Sequence, residues 1–536
     1  MSASSASALP PLPRWLAILP LVAAAAFFLP TLGGWFLADD FVYVARFYEL
    51  PWSDWPRLFW REWSEGIWGF QLKELRPFAA LSFMIDAKIW GGNAFGYRLT
   101  NLALHVVATA LVLRLAWLYG RGNLAAGAIA AFGFALHPAH AEPVAWITGR
   151  VDLLGTVCAL GFWFAAERWI SHGAKAHLLW SGAAFFVGVF SKELCLFAPP
   201  LLILHWLLVD PRVSREIWQR RLSIVIVVAL TIGVYALCRH AAFGTDATSA
   251  AGGWGDDDAW KRQASYLGWL APVLPFTERN EWATPLAPAL VRGLWIAFAV
   301  ATITGIAIAL KRRATEISEA LFFTGIWYLV TVGGFLVVSY FTPRHLYFPT
   351  GGLAIGAGLT IATFIRAPQL RTILGIVVVG WCAVAHFVTV RSWQRTGSLS
   401  REIATALDRG FESAPPGTLA LLSVPAVVDG AYVWAWACPH ALGRPFLKRT
   451  IPTGEIVERA DNYYRPDHWT AGRQPLERFR AAPGAVVVVA DPTRKVRQRY
   501  VASEELRRQA PALAAVAQDG ITPDEWTGWA TTLLEP

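Results

Sequence analysis

The chain has 536 residues, 55% of them hydrophobic and 16% charged, with a formal net charge of +9. Soluble domains carry about a quarter charged residues, so this composition excludes an ordinary soluble enzyme and indicates a polytopic helical membrane protein. The positive charge does not require nucleic acid as a partner, because basic cytoplasmic loops give membrane proteins the same balance.

The first residues, MSASSASALPPLPRWLAILPLVAAAAFFLP, hold one Arg ahead of an apolar run. A cleaved signal peptide is one reading. The run Trp15 to Leu37 is long for a signal core, so an uncleaved first span is expected. Further apolar segments follow at 97–118, 124–138, 152–170, 177–191, 194–209, 222–239, 290–310, 318–341, 347–365 and 371–390. With the first, they predict roughly eleven spans of about 20 residues each. Segment 265–276 is too short to cross and reads as interfacial or re-entrant.

Loop charge sets the orientation. With the N-terminus in the cytoplasm, Arg121, Arg168 with Lys175, Arg212 to Arg221, Lys311 to Arg313, and Arg366 with Arg371 all fall inside. The unusual polar residues then fall on the outer face. The first outer loop, 38–96, interleaves Trp52, Trp55, Trp60, Trp63 and Trp68 with charge. That pattern predicts a helix in the interface plane, or a Trp-rich loop packed on the bundle. Beyond residue 391 the composition is that of soluble sequence. A helix over 398–413, strands at 419–428 and 485–492, and a helix over 503–518 predict a small α/β domain over 392–536 on the outer side of a membrane module spanning 1–391. The 28 Trp suit membrane interfaces, and the five Cys show no metal or disulfide spacing.

Several polar groups punctuate the outer loops. Asp39 and Asp40 follow the first span. One could be a general base with the other a partner, or both could end a helix in water. His137, His140, Glu142, Arg150 and Asp152 fall within 16 residues of the second outer loop. They could bind a divalent cation, although Asp152 could equally cap a helix and His137 could end one. Lys192 and Glu193 form a tight outer turn where a lysine could meet a lipid-linked phosphate or snorkel to water. Arg344, in FTPRHLYFP, has the planar fork that suits phosphate, with His345 and Tyr347 beside it. Arg76 lies in the first outer loop, and Asn101 and His105 lie inside a span, where interhelical hydrogen bonding is the plain alternative to function.

In order, ADD, RPFAALSFMID, YRLTNLALHVVATALVL, LHPAHAEPVAWITGRVDLL, SKE and RHLYFP resemble the GT-C membrane glycosyltransferases. The nearest likeness is to the branch of transmembrane and tetratricopeptide-repeat protein O-mannosyltransferases and their bacterial relatives. It covers about 35–365, HPxHxEPVxxxxGRxDLL being its most specific block; DGAYVW (429–434) is similar to a segment in bacterial relatives. The chain lacks the repeat array, so acceptor recognition does not carry over. The resemblance implies an all-α GT-C bundle and inverting sugar transfer from a polyprenyl-phosphate donor to a lipid, glycan or protein hydroxyl. It implies Asp39 as base with Asp40 beside it, Glu142 as the second-loop acid, and Arg150, Lys192, Arg344 and Tyr347 toward the donor phosphate. Arg76, His137, His140, Asp152, Glu193 and His345 would support the site. The Ala-, Arg- and Trp-rich style suggests a bacterial inner membrane with the site in the periplasm. Two other classes are a secondary transporter, whose ionisable groups would sit near the midplane, and a non-catalytic lipid-binding protein.

Overall fold

The computed structural model describes residues 9–67, 72–210, 212–244, 256–271, 285–337, 342–438, 440–451, 456–459, 481–490, 495–509 and 523–534. Among them, eight helices are long and apolar enough to cross a membrane, or nine if the bent pair Leu124–Ala135 and Pro138–Ala145 is one span. The chain is a multi-pass membrane protein. The expected spans at 177–191 and 194–209 are shorter helices, Lys175–Val189 and Ala198–Leu208, packed beside longer ones. The 124–138 segment bends by 44°, because Pro138 opens a short 3-10 turn just past the helix end.

Burial separates centre from rim. In Ile147–His172, 78% of the apolar window is buried, against 17% in Pro288–Lys311. The first is a central helix, and the second turns an apolar surface outward, as a lipid-facing helix must. Helix starts are capped where sequence allows: Asn93 accepts from Phe95 N, Asn123 from Ala126 N, and Ser214 from Ile217 N.

The first outer loop folds into helix Asp40–Glu49, a 3-10 segment Trp52–Phe59 and helix Pro77–Trp90. Trp52 and Trp60 are exposed while Trp63 is buried, so the tryptophans divide between the surface and the bundle. Trp68, the tail of 265–276 beyond 271, residues 491–492 and the tail of the expected 503–518 helix beyond 509 lie outside the described residues.

The last span does not stop at 391. Helix Pro368–Phe411 runs 44 residues without a break, so the expected 398–413 helix is its C-terminal part. At 1.5 Å per residue it extends about 66 Å, roughly twice a bilayer core. Its end packs on a four-stranded sheet. Leu419–Ser423 lies between Ile456–Arg459 and Gly484–Ala490, parallel to both, and Val496–Ala502 pairs antiparallel on the far side of Gly484–Ala490. A two-stranded hairpin, Val427–Val428 with Ala431–Tyr432, turns through Asp429 (φ 51°) and Gly430 (φ 75°). Asp-Gly suits a two-residue turn with both central residues left-handed.

The sheet region shares its core with the first outer loop. Phe36, Phe41, Tyr43, Trp63 and Tyr97 form one buried cluster with Ile403, Leu407, Ala420, Val486, Trp434 and Phe446. Gly397 makes the close approach possible: a Cβ there would lie 2.9 Å from Gly34 Cα.

Candidate active site

The segment Gly34–Asp40 is held from three directions. Trp35 N donates to Gly397 O (3.1 Å) and Ala38 N to Val433 O (2.9 Å). Ser400 Oγ donates to Phe36 O (2.6 Å) and itself accepts from Trp434 Nε1 (2.9 Å). Arg98, wholly buried, donates to Thr31 O, Trp35 O and Ala145 O. These ties over-determine the backbone, and Ala38 sits at φ 49°, a left-handed conformation unfavourable for a residue with a Cβ.

That backbone gives the two aspartates different surroundings. Asp40 is fully buried and saturated: its carboxylate accepts from Leu37 N (2.9 Å), Thr148 N (2.8 Å) and Thr148 Oγ1 (2.8 Å). Burial raises its pKa to about 6, against the opposing pull of Arg98 and these hydrogen bonds. Asp39 keeps one buried oxygen, Oδ1, with no hydrogen-bond partner among the described residues. Burial first, then the like charge of Asp40, holds its pKa well above the usual carboxylate range, while Arg344 and the Thr148 side chain act the other way. Thr148 has one hydroxyl proton for two carboxylates, and the geometry gives it to Asp40.

A row of ion pairs lies beside them. Arg344 donates to Glu142 Oε1 (3.1 Å), its Nε stands 3.6 Å from Asp152 Oδ2, and its guanidinium carbon lies 4.7 Å from the Trp146 ring centroid. Lys192 Nζ is 3.7 Å from Asp152 Oδ1. Arg76 pairs with Glu193 (3.0 Å) and Glu74 (2.8 Å). Asp152 is almost wholly buried, yet neither of its cation contacts is as short as a hydrogen bond. The row therefore gathers three cations and four carboxylates in one buried band, with Asp152 between Arg344 and Lys192. Asp39, Asp40, Glu142, Asp152, Lys192, Arg344, Arg76 and Glu193 thus come together from five separate stretches of chain.

Other expected residues go elsewhere. Arg150, named above toward the donor phosphate, is fully buried. It donates to Asn101 Oδ1 (2.9 Å), Ser82 O (3.1 Å) and Tyr97 O (2.8 Å) and pairs with Asp86 at 2.5 Å. With its donors spent on two neighbouring helices, Pro77–Trp90 and Ala94–Tyr119, it is a bracket between helices. Tyr347 is also turned inward, its hydroxyl 2.8 Å from His105 Nδ1. His140 Nε2 meets Thr350 Oγ1 (2.7 Å), His137 Nδ1 accepts from Ala139 N (3.3 Å), and His345 Nδ1 meets the Tyr266 hydroxyl (2.7 Å). The cation reading for His137, His140 and Glu142 is corrected accordingly. Glu142 turns to Arg344 and the histidines to other partners, and among the described residues no three His, Cys, Asp or Glu side chains are gathered to hold a metal.

The sequence reading missed Thr148, Arg98, Asp86 and Val433. Asp86 and Arg98 could have been found, since each is a charge inside an otherwise apolar helical run. Val433 acts through its backbone carbonyl and leaves no mark of residue type, and Thr148 acts through both its N–H and its hydroxyl, with nothing in the sequence to single out one threonine.

No protein-family model matches the chain. Over 240 residues, 40% of the chain, it is 33% identical to the Drosophila melanogaster Protein O-mannosyl-transferase Tmtc2, covering 24% of that protein. It is 43% identical over 108 residues to the fly Protein O-mannosyl-transferase Tmtc1, covering 20% of this chain and 11% of that one. The chain thus spans a quarter or less of these curated relatives. Among solved structures, ArnT from Cupriavidus metallidurans bound to undecaprenyl phosphate aligns over 90% of this chain and 94% of that one, at 12% identity and a TM-score of 0.38. The mycobacterial arabinofuranosyltransferase AftD aligns over 84% of this chain and 33% of that one, at 15% identity and a TM-score of 0.41.

Proposed function

We propose that the chain is a membrane glycosyltransferase that moves a monosaccharide from a polyprenyl-phosphate donor to an acceptor hydroxyl on the outer, periplasmic face of a bacterial inner membrane. The observation that carries this reading is the division of the aspartate pair: Asp40 is saturated, while Asp39 keeps a buried oxygen without a partner in the electrostatic reach of Arg344. The name of the matched relatives makes mannose the first sugar to try.

The chemistry follows from the residues. Asp39 takes the acceptor O–H proton as the acceptor oxygen bonds to the anomeric carbon. The bond from that carbon to the phosphate oxygen breaks, and the lipid phosphate leaves with one more negative charge. Attack and departure occur on opposite faces, so the configuration inverts. Arg344 and Lys192 stabilise the charge gained, and a phosphate leaves without protonation, so no second acid is needed. Glu142 and Asp152 set where those cations stand. Asp40 fixes the turn that aims Asp39.

The direct test is transfer from polyprenyl-phosphate mannose by the purified, reconstituted chain, beside mass analysis of envelope glycans, glycolipids and proteins with and without the gene. No transfer from any polyprenyl-phosphate sugar and no change in any glycan would sink the reading. Arg344→Ala should cost about 10²–10³ in kcat/KM for the donor, the scale of losing one charge-stabilising group. Unchanged donor kinetics would remove Arg344 from the site.

The pH profile gives a sharper check. A base must be ionised, so kcat/KM should rise with pH along a limb set above the ordinary carboxylate value of about 4. Because the Asp40 charge is the second cause of the shift, Asp40→Asn should move the limb to lower pH. A limb that stays put contradicts the pairing. The raised pKa also costs stability: the folded form holds its proton more tightly than the unfolded one, so stability falls as pH rises from about 4 through the folded value.

A further inference from the structure

One exposed face of helix Pro368–Phe411 changes character along its length. Ile373, Val377, Trp381, Val384 and Val388 recur at three-, four- and seven-residue intervals and are exposed. That spacing keeps them on one stripe, and with nothing over them among the described residues they face lipid. The same stripe continues through Arg391, Arg395, Ser398 and Glu402, all exposed. From Ile373 to Arg391 is 18 steps, about 27 Å, close to the thickness of a bilayer core. The two arginines therefore stand where the apolar stripe leaves the hydrocarbon.

They do not project singly into water. Arg391, Gln394, Arg395, Ser398, Leu399 and Glu402 line a groove of about 370 Å³. The Arg391 guanidinium carbon lies 4.2 Å from the Phe387 ring centroid, so that side chain is folded back toward the membrane. Arg395 stands 3.8 Å from Asp429, with half of its side chain exposed. Two guanidinium groups and the Gln394 amide on one wall are donors suited to phosphate oxygens, while the Ser398 hydroxyl donates to Gln394 O (3.2 Å). Glu402 at the far end repels an anion and confines it to the arginine end.

We propose that this groove binds the phosphate headgroup of an anionic lipid whose chains lie along the apolar stripe below it. The site is separate from the Asp39 cluster and is read by binding, so it stands or falls without the transfer reaction. It also touches the Asp39 backbone indirectly. Asp429 is in the turn of the hairpin that leads to Val433, whose carbonyl holds Ala38.

Native mass spectrometry of the full chain in detergent tests it, with phosphatidylglycerol, phosphatidylcholine of the same chains, and inorganic phosphate as separate probes. A basic residue at a membrane surface favours an anionic headgroup by about five-fold, so the wild type should carry at least that excess of phosphatidylglycerol over phosphatidylcholine. R391Q/R395Q should bring the two lipids to parity, and R391K/R395K should keep a preference, which separates loss of charge from loss of fold. Parity in the wild type, an unchanged preference in the Gln pair, or a Lys pair no better than the Gln pair overturns the proposal. Inorganic phosphate binding as well as the lipid makes the occupant a soluble anion and overturns it too.

Discussion

Asp39→Asn should remove sugar transfer, by about 10²–10⁴ in kcat, while the protein stays folded and monodisperse in detergent. The expectation rests on what the substitution leaves alone. Asp39 Oδ1 has no hydrogen-bond partner, so the amide breaks no bond of the fold there. It also removes a buried like charge beside Asp40, which should leave thermal stability unchanged or slightly higher. Loss of activity without loss of stability is the signature of a group kept for chemistry. Wild-type transfer by the Asn variant would assign the proton to another group. A collapse in stability would mean that Asp39 serves the fold.

Arg150→Ala should do the reverse. Arg150 is wholly buried, paired with Asp86, and lies over the Phe83 ring at 4.6 Å. Removing it strands a buried carboxylate and three acceptors, a loss of about 3–5 kcal/mol by the usual cost of breaking one half of a buried pair. The thermal midpoint in detergent should fall sharply, and Asp86→Ala in the same chain should restore part of it, because the stranded charge then goes as well. A stable Arg150→Ala variant with impaired donor use would return this arginine to the phosphate.

These two contrasts show what sequence could and could not deliver. Apolar run length marks the long helices, since a bilayer demands about 20 such residues whatever the packing. At 177–191 and 194–209 the helices, Lys175–Val189 and Ala198–Leu208, are shorter than the eight long ones, and run length alone reads them the same as full spans. Order along the chain brought Asp39, Glu142, Lys192 and Arg344 together as candidates, and the structure brings them to one cluster. It failed at Arg150, because an arginine in GRVDLL carries no sign of whether its fork faces a ligand or a carbonyl. It failed again at residue 391, where composition changes from membrane to soluble sequence inside one helix. The backbone ignores that change, and helix Pro368–Phe411 carries the outer sheet back onto the first loop.

The grip on the first loop has a consequence for how the protein is made. Ser400 Oγ reaches Phe36 O across 364 residues of sequence, and Val433 O holds Ala38 from farther still. A growing chain therefore makes Arg98 and Thr148 early, but completes most of its membrane helices before the last residues that hold the Asp39 turn exist. The ties to Phe36 O and Ala38 N form only once the end of helix Pro368–Phe411 and the hairpin that follows it have been made. The N-terminal turn that carries Asp39 is thus fastened late, by residues about 360 to 400 positions downstream of it.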